Sequence, residues 1–398
     1  MRISTANSYN SSLDSLIDRQ STLASTQEQL TTGKRVNRAS DDPAAAARSE
    51  RALASERRTV ANQRAVDASD SAMTLTESAL ADAGSLLQQV RVALVAAGNA
   101  TYTDTERLGV ANQIADLRQQ LLSVANRSDG SGTYLFGGQG STQTPFTDVP
   151  GGVQFQGTAG DLKAASSETL PLTIDGQSTW TTARTGNGVF ATSAVASTGT
   201  AWIDGGGVVN PSLVTGSTYT LQFSVAAGAT TYSVLKDGLP TAQTNVAFTS
   251  GQAVQVDGLS ATITGQPANG DAFQLAPSTP SLSVFSALDK AVADLKTPGR
   301  SATQVAQSNV TNLGNLDSVL GQVLAARTQV GATLNRISAA TDRLSALKLS
   351  NQTERSNAED LDLTQAISAF SNQQTGYDAA LKAYALVQRL SLFNYLNG

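Results

Sequence analysis

Residues 313–344 read LGNLDSVLGQVLAARTQVGATLNRISAATDRL. Within them Leu313, Leu316, Leu320, Val323, Val330, Leu334, Ile337 and Leu344 alternate at spacings of three and four, interrupted only at Arg327 and Thr341. Apolar residues so spaced fall on one stripe of an α-helix, and a repeat sustained over several turns is the pattern of helices wound around one another. The alternative is an ordinary amphipathic helix on a globular core. Downstream the pattern resumes as Leu363, Ile367, Phe370, Tyr377, Leu381 and Tyr384, with Gln374 the one polar member. Upstream, Pro298-Gly299 breaks the helix.

The other end of the chain carries the same signal. Leu13, Leu16, Leu23 and Leu30 keep heptad spacing, and Gln20 and Gln27 fill the alternate positions. Asp41-Asp42-Pro43 opens a second helix, with Asp42 as N-cap and Pro43 at the first helical position. A small-residue stripe follows: Ala61, Ala65, Ala68, Ala72, Leu75, Ala79, Leu86, Val90, Ala93 and Ala97. Alanine at these positions predicts closely approaching helices rather than a roomy core. Thr103-Asp104-Thr105-Glu106 is a capping box for a third helix with the seam Val110, Ile114, Leu117, Leu121 and Val124.

Between these flanks the character changes. Residues 141–280 hold 18 of the 33 Gly, 8 of the 10 Pro and both Trp, so long helices belong to the flanks alone. Tyr219–Val225 alternates apolar and polar residues as a half-buried strand does. Leu170–Ile174, Tyr232–Leu235, Val254–Val256 and Ala261–Thr264 are further short strands, with Asp237-Gly238 and Asp257-Gly258 as turns. The expected class is α+β: a long helical coiled-coil bundle made by both flanks, with a β-rich insertion. Its segments are an N-terminal coiled coil (1–42), a bundle part (43–140), the insertion (141–280), a second bundle part (281–355) and a C-terminal coiled coil (356–398).

Composition excludes much chemistry. The 398 residues contain no Cys and no His. Thiol nucleophiles, disulfides, imidazole triads and Cys/His zinc sites are therefore out of reach. A net charge of −5 argues against nucleic-acid binding. No stretch of 18 apolar residues suggests membrane insertion, and the opening residues lack the apolar core of a secretory signal. Gly137-Gly138-Gln139-Gly140 lacks the Lys-Ser/Thr ending of a phosphate loop. Asp204-Gly205-Gly206-Gly207 lacks the later oxygen ligands of a calcium loop. The sequence names no catalytic residue, no metal ligand and no cofactor. A carboxylate pair for glycoside chemistry in the acidic middle has no local signature by which to find it.

Thr32-Gly33-Lys34-Arg35-Val36-Asn37-Arg38-Ala39-Ser40-Asp41-Asp42 resembles the flagellin-type motif S-G-x-R-[IV]-x-x-A-x-D-D, with Gly33, Arg35, Asp41 and Asp42 at its fixed positions. It departs from it by Thr at 32 and by Pro43 after the acidic pair. Met1-Arg2-Ile3-Ser4-Thr5, Tyr134-Leu135-Phe136-Gly137-Gly138 ahead of Thr144-Pro145-Phe146, and the ending Leu390–Leu396 are closer to members that join hook to filament than to filament flagellin. The resemblance covers about 1–146 and 281–398 and implies a non-enzymatic structural protein of the bacterial flagellum, needed for motility. It implies an extracellular place, reached unfolded through the flagellar type III export channel without a cleaved signal. The implied partners are hook-associated protein 1, flagellin, further copies in a ring or helical layer, and an export chaperone. The alternatives are filament flagellin itself and an exported effector or carbohydrate-active protein working through 147–280.

An isolated end helix exposes its own stripe and gains little by folding alone. Assembly should therefore bury Leu13, Leu16, Leu23, Leu30, Leu363, Ile367, Phe370, Tyr377, Leu381 and Tyr384, with Gln20, Gln27 and Gln374 setting register.

Overall fold

The computed structural model describes residues 5–139, 142–164 and 168–396. Met1–Ser4 and the side chains of the ending at 390–396 lie outside the described residues. The chain opens with helices α1 (Thr5–Thr32), α2 (Pro43–Ala97) and α3 (Asp104–Ala125). The middle begins with the hairpin β1 (Phe146–Val149) and β2 (Gly152–Phe155), the short helix α4 (Gly176–Trp180) and β3 (Ala183–Arg184). Then come β4 (Phe190–Ala196), β5 (Trp202–Ile203), β6 (Gly207–Val208), β7 (Tyr219–Ala226), β8 (Ala229–Lys236), β9 (Leu239–Pro240) and β10 (Val246–Ala247). The middle closes with β11 (Ala253–Val256), β12 (Leu259–Thr264), β13 (Ala272–Pro277) and β14 (Pro280–Leu282). Helices α5 (Val284–Lys296), α6 (Ala302–Glu359) and α7 (Leu363–Leu396) complete the chain. The class is α+β, with helical ends around a β-rich middle. Two bodies form: residues 65–339, and residues 1–64 with 340–398.

In the 65–339 body, α2 and α6 run antiparallel. Arg91 pairs with Asp317 at 2.8 Å and Arg327 with Glu77 at 2.6 Å, so contacts climb one helix as they descend the other. The buried face of α2 is Val66, Met73, Leu80, Leu87 and Leu94, every seventh residue, with Ser69, Thr76, Ala83, Val90 and Ala97 three places on. Leu316, Val323, Val330 and Ile337 answer it from α6. Of the expected alanine stripe, Ala72, Ala79, Val90, Ala93 and Ala97 are buried, whereas Leu75 is 41% exposed and Ala61 and Ala68 face solvent. Buried Ser69 and Thr76 hide the true heptad from a hydrophobicity pattern. Each hydroxyl is satisfied by a carbonyl, Ser69 Oγ donating to Pro171 O at 2.6 Å and Thr76 Oγ1 to Ala72 O at 2.7 Å.

The Thr103–Glu106 capping box forms at the start of α3, whose Ile114, Leu117, Leu121 and Val124 are buried. So is Arg118, which no sequence pattern marks. Its guanidinium clamps Asp148 on β1 through two bonds, of 2.5 and 3.0 Å, and reaches Asp289 on α5 at 3.0 Å. The clamp holds the Asp148 carboxyl below the usual carboxylate range.

Two apolar cores serve the strand-rich region. In the first, Phe136, Phe146, Trp180 and Phe285 form a ring cluster that binds the 136–180 segment to α5. The stretch Leu170–Ile174 is not a strand: Leu170 and Thr173 are buried, and it is tied to the 135–138 segment by Ile174 N–H donating to Leu135 O at 3.0 Å and Thr173 Oγ1 to Gly138 O at 2.7 Å. Among the described residues its one bridge is isolated, Lys163 to Pro171, held by Ala164 N–H donating to Leu170 O at 2.7 Å and Leu172 N–H to Leu162 O at 2.6 Å. The second core lies among the later strands, from Phe190 through Ile203, Tyr219, Leu221, Phe223, Val234, Leu259 and Ile263 to Phe273 and Leu275. It lies between a six-stranded antiparallel sheet (β10-β8-β7-β13-β4, with β9 on β8) and a smaller one (β11-β12-β5, with β6 on β12). The turns at Asp237-Gly238 and Asp257-Gly258 have positive φ at both residues, as tight hairpins require.

Candidate assembly interface

The body formed by 1–64 and 340–398 carries the predicted site residues. Here α1 and α7 pair antiparallel: the Tyr9 and Tyr384 rings lie 5.6 Å apart, and farther along α1 Thr26 Oγ1 donates to Gln373 Oε1 at 2.8 Å. Leu16 and Thr26 are buried on α1, with Leu23 and Leu30 half-buried beside them. On α7 the inward row is Ala366, Phe370, Gln373, Tyr377, Ala380 and Tyr384. A Cβ added to Gly376 would sit 3.0 Å from the Arg19 guanidinium, so the Arg19 side chain reaches across to α7 there.

This row shares Phe370, Tyr377 and Tyr384 with the sequence reading and differs from it at the places between them. Ala366, Gln373 and Ala380 occupy the positions expected for Ile367, Gln374 and Leu381. Gln20, Gln27 and Gln374 are exposed, and the polar seam members are Thr26 and Gln373. Both phases satisfy the 3-4 spacing. Small side chains let the helices close, and that selects the inner one. The bulky residues left over face out: Leu13, Ile17, Leu363, Ile367, Leu381 and Leu386 are 39–61% exposed. Together these large apolar side chains leave an extended apolar surface on two adjacent helices.

The segment 33–42 fastens this pair to the end of α6. Gly33 stops α1 in a left-handed conformation at φ +70°, its N–H bonding Gln29 O at 2.8 Å. The chain then runs alongside 358–361. Arg35 N–H donates to Glu359 O at 2.7 Å, Leu361 N–H to Gly33 O at 3.0 Å, and Arg35 Nη2 to Ala358 O at 2.8 Å. Arg35 Nη1 also meets Asp42 at 3.1 Å. Asp42 caps α2 by accepting from Ala45 N–H at 2.9 Å, and Asp41 accepts from the N–H groups of Asn37 and Arg38 at 3.1 and 2.8 Å. Those backbone donors, Ala45 first for Asp42 and Arg38 first for Asp41, hold both carboxyls below their ordinary value. The four motif residues thus form one staple. Sequence reasoning missed its centre, Glu359, whose carboxylate takes Ser49 Oγ at 2.7 Å and lies 3.3 Å from Lys34 Nζ.

Elsewhere the motifs prove structural. Leu135 and Phe136 are buried, and a Cβ on Gly138 would overlap Thr158 O, so only glycine fits. Asp204 accepts from the N–H groups of Gly206 and Thr262, both at 2.9 Å. Among the described residues no acidic cluster could hold a metal ion, and no helix is long and apolar enough to cross a membrane.

Residues 3–141 match the bacterial flagellin N-terminal helical region and 313–396 match its C-terminal helical region. Flagellar hook-associated protein 3 of Escherichia coli is 25% identical over 399 residues, covering 99% of each chain. The crystal structure of FlgL from Xanthomonas campestris is 28% identical, with a TM-score of 0.68 over 77% of this chain and 99% of that one. The flagellin of Bacillus subtilis, by contrast, is 29% identical over only 32% of this chain and 42% of its own. Shared helical ends and an end-to-end match together place the chain: it belongs to the flagellin family, resembles flagellar hook-associated protein 3 over its whole length, and is a structural protein of the bacterial flagellum.

Proposed function

We propose that this chain is the axial protein that joins the flagellar hook to its filament and gives flagellin its platform for assembly. The end-to-end match carries the reading, because the filament flagellin compared above shares only a third of the chain. In this role the paired α1 and α7 form an inner layer with further copies, covered through Leu13, Ile17, Leu363, Ile367 and Leu381. Hook-associated protein 1 lies on the cell side and flagellin on the distal side. The chain leaves the cell through the flagellar export channel, with an export chaperone as its partner before that, and the β-rich middle faces solvent.

Deletion of the gene followed by electron microscopy tests this. Hooks without filaments, with flagellin shed into the medium, are expected. Normal filaments would overturn the reading and favour an exported effector acting through 147–280.

A further inference from the structure

Two buried polar atoms of the 65–339 body line one small cavity and have no hydrogen-bond partner among the described residues: Arg107 Nε on α3 and Asn312 Oδ1 on α6. The cavity lies where the end of α5 turns through Pro298-Gly299 into α6, with Leu94 and Val305 on its apolar side. Neighbouring bonds fix how each orphan points. The Asp294 carboxylate accepts from Asn312 Nδ2 at 3.0 Å, which settles the orientation of the amide and turns Oδ1 toward the cavity. Arg107 Nη2 donates to Asn99 O at 3.3 Å and Nη1 lies 3.8 Å from Asp104, so the Nε–H is left over. Other lining groups are engaged among themselves. Arg300 Nη1 donates to Asp294 O at 3.0 Å and to Ser308 Oγ at 2.9 Å, and Ser308 Oγ donates to Val305 O at 3.0 Å. Asn312 is 3% exposed, and an unmatched polar atom so deeply buried is costly.

Whatever fills the cavity must accept from a guanidinium N–H and donate to an amide oxygen. A cation would meet Arg107 and Arg300 there, and an anion would meet the Asp294 carboxylate and Asn312 Oδ1. Neither ion satisfies both orphans. Half-buried Asn309, on the same wall, carries a donor and an acceptor of its own. The space gives the centre of a water-sized molecule about 10 Å³, which holds one water and no larger ligand.

We propose that a single structural water is bound in this cavity, accepting from Arg107 Nε–H and donating to Asn312 Oδ1. It ties α3 to α6 beside the turn where Gly299 N–H donates to Asp104 Oδ2 at 3.0 Å, and so braces the corner between α5 and α6.

Crystals of the full chain, soaked in rubidium bromide and measured at a resolution that shows single waters, test it. One density peak is expected about 2.7–3.2 Å from both Arg107 Nε and Asn312 Oδ1, with no anomalous signal from either ion. An empty site, or an anomalous peak in it, would overturn the proposal. Urea unfolding of a double-mutant cycle gives a second reading in solution. Among the described residues Arg107 and Asn312 have no hydrogen-bonding or ionic partner in common, so a bridging water is what couples them. Arg107→Met and Asn312→Leu should each raise the unfolding constant. Their combined rise should fall short of the product of the two single rises by about threefold or more, because either change alone already loses the bridge. Asn312→Ala takes the place of Asn312→Leu should the latter misfold. Rises that simply multiply would show that nothing bridges the two atoms.

Discussion

Glu359 draws together three stretches of chain that are remote in sequence. Its carboxylate holds Ser49 and approaches Lys34 and Arg355, while its carbonyl takes the N–H groups of Arg35 and Val36. Removing the side chain leaves the Ser49 hydroxyl and two cations without their acceptor. Glu359→Ala should therefore cost about 1–3 kcal/mol in urea unfolding, with Glu359→Gln recovering part of it; an unchanged midpoint would show that the staple does not depend on this carboxylate. Asp41 and Asp42 add a pH dependence of definite sign. Their folded pKa values lie below the ordinary 3.8, so the stability they contribute is complete above the unfolded value and is lost as pH falls through the lowered one. Asp41→Asn should accordingly lower the neutral plateau and flatten the acid limb below about pH 4, so that the variant and the wild type converge at low pH. An acid limb of unchanged slope would assign it to other carboxylates. Gly33, Arg35, Asp41 and Asp42 were legible because they recur together in a motif. Glu359 was not, since a lone glutamate near a helix end looks like any solvated charge.

At the scale of elements, the sequence revealed that the helices exist and where they start, and misjudged which way they face. Asp42, Thr103 and the break at Pro298-Gly299 act on the local backbone, so caps and ends could be read directly. Facing is decided by a partner helix. A 3-4 spacing admits neighbouring phases, and the small residues Ala366 and Ala380 won the inner row although hydrophobicity favours Ile367 and Leu381. The same ambiguity separates Leu75 from Leu80 on α2. Leu80→Ala should destabilise the folded chain by about 2–5 kcal/mol, whereas Leu75→Ala should stay within about 0.5 kcal/mol, both read by thermal or urea unfolding. Equal losses would mean that the α2 heptad is wrongly phased. On α7 the outward Leu381 gives a separate test. Leu381→Asp should leave the melting temperature of the monomer unchanged and still block assembly, because an unpaired charge would be buried between copies. Lys382→Asp, also exposed, should assemble nearly as the wild type does, and equal assembly of the two would exclude this face from the interface.

At the scale of the whole molecule, the Gly and Pro content located the insertion but could not say which part of it stands alone. The ring cluster of Phe136, Phe146, Trp180 and Phe285 crosses the border at 141, and Trp180 is fully buried in it. Composition cannot register this, because a loop that packs on helices is as rich in Gly and Pro as one that does not. The later strands keep a core of their own from Phe190 to Leu275. The chain also enters and leaves them at one point, where Ser278 N–H bonds Val189 O at 3.0 Å. We therefore expect 190–277 to be the separable unit. Replacing it by a short Gly/Ser linker should leave cooperative melting of the helices intact, at the loss of a few bonds such as that from Ile203 N–H to Gln307 Oε1. Replacing 150–278 instead removes Trp180 from beneath α5 and takes away the Pro171 carbonyl that satisfies Ser69. Truncating one buried Trp to Ala already costs about 3–5 kcal/mol, so this longer excision should melt many degrees lower or without cooperativity. Calorimetry of the two deletions side by side decides the matter: if they melt alike, the border lies near 150 and the aromatic cluster adds nothing to the helical body.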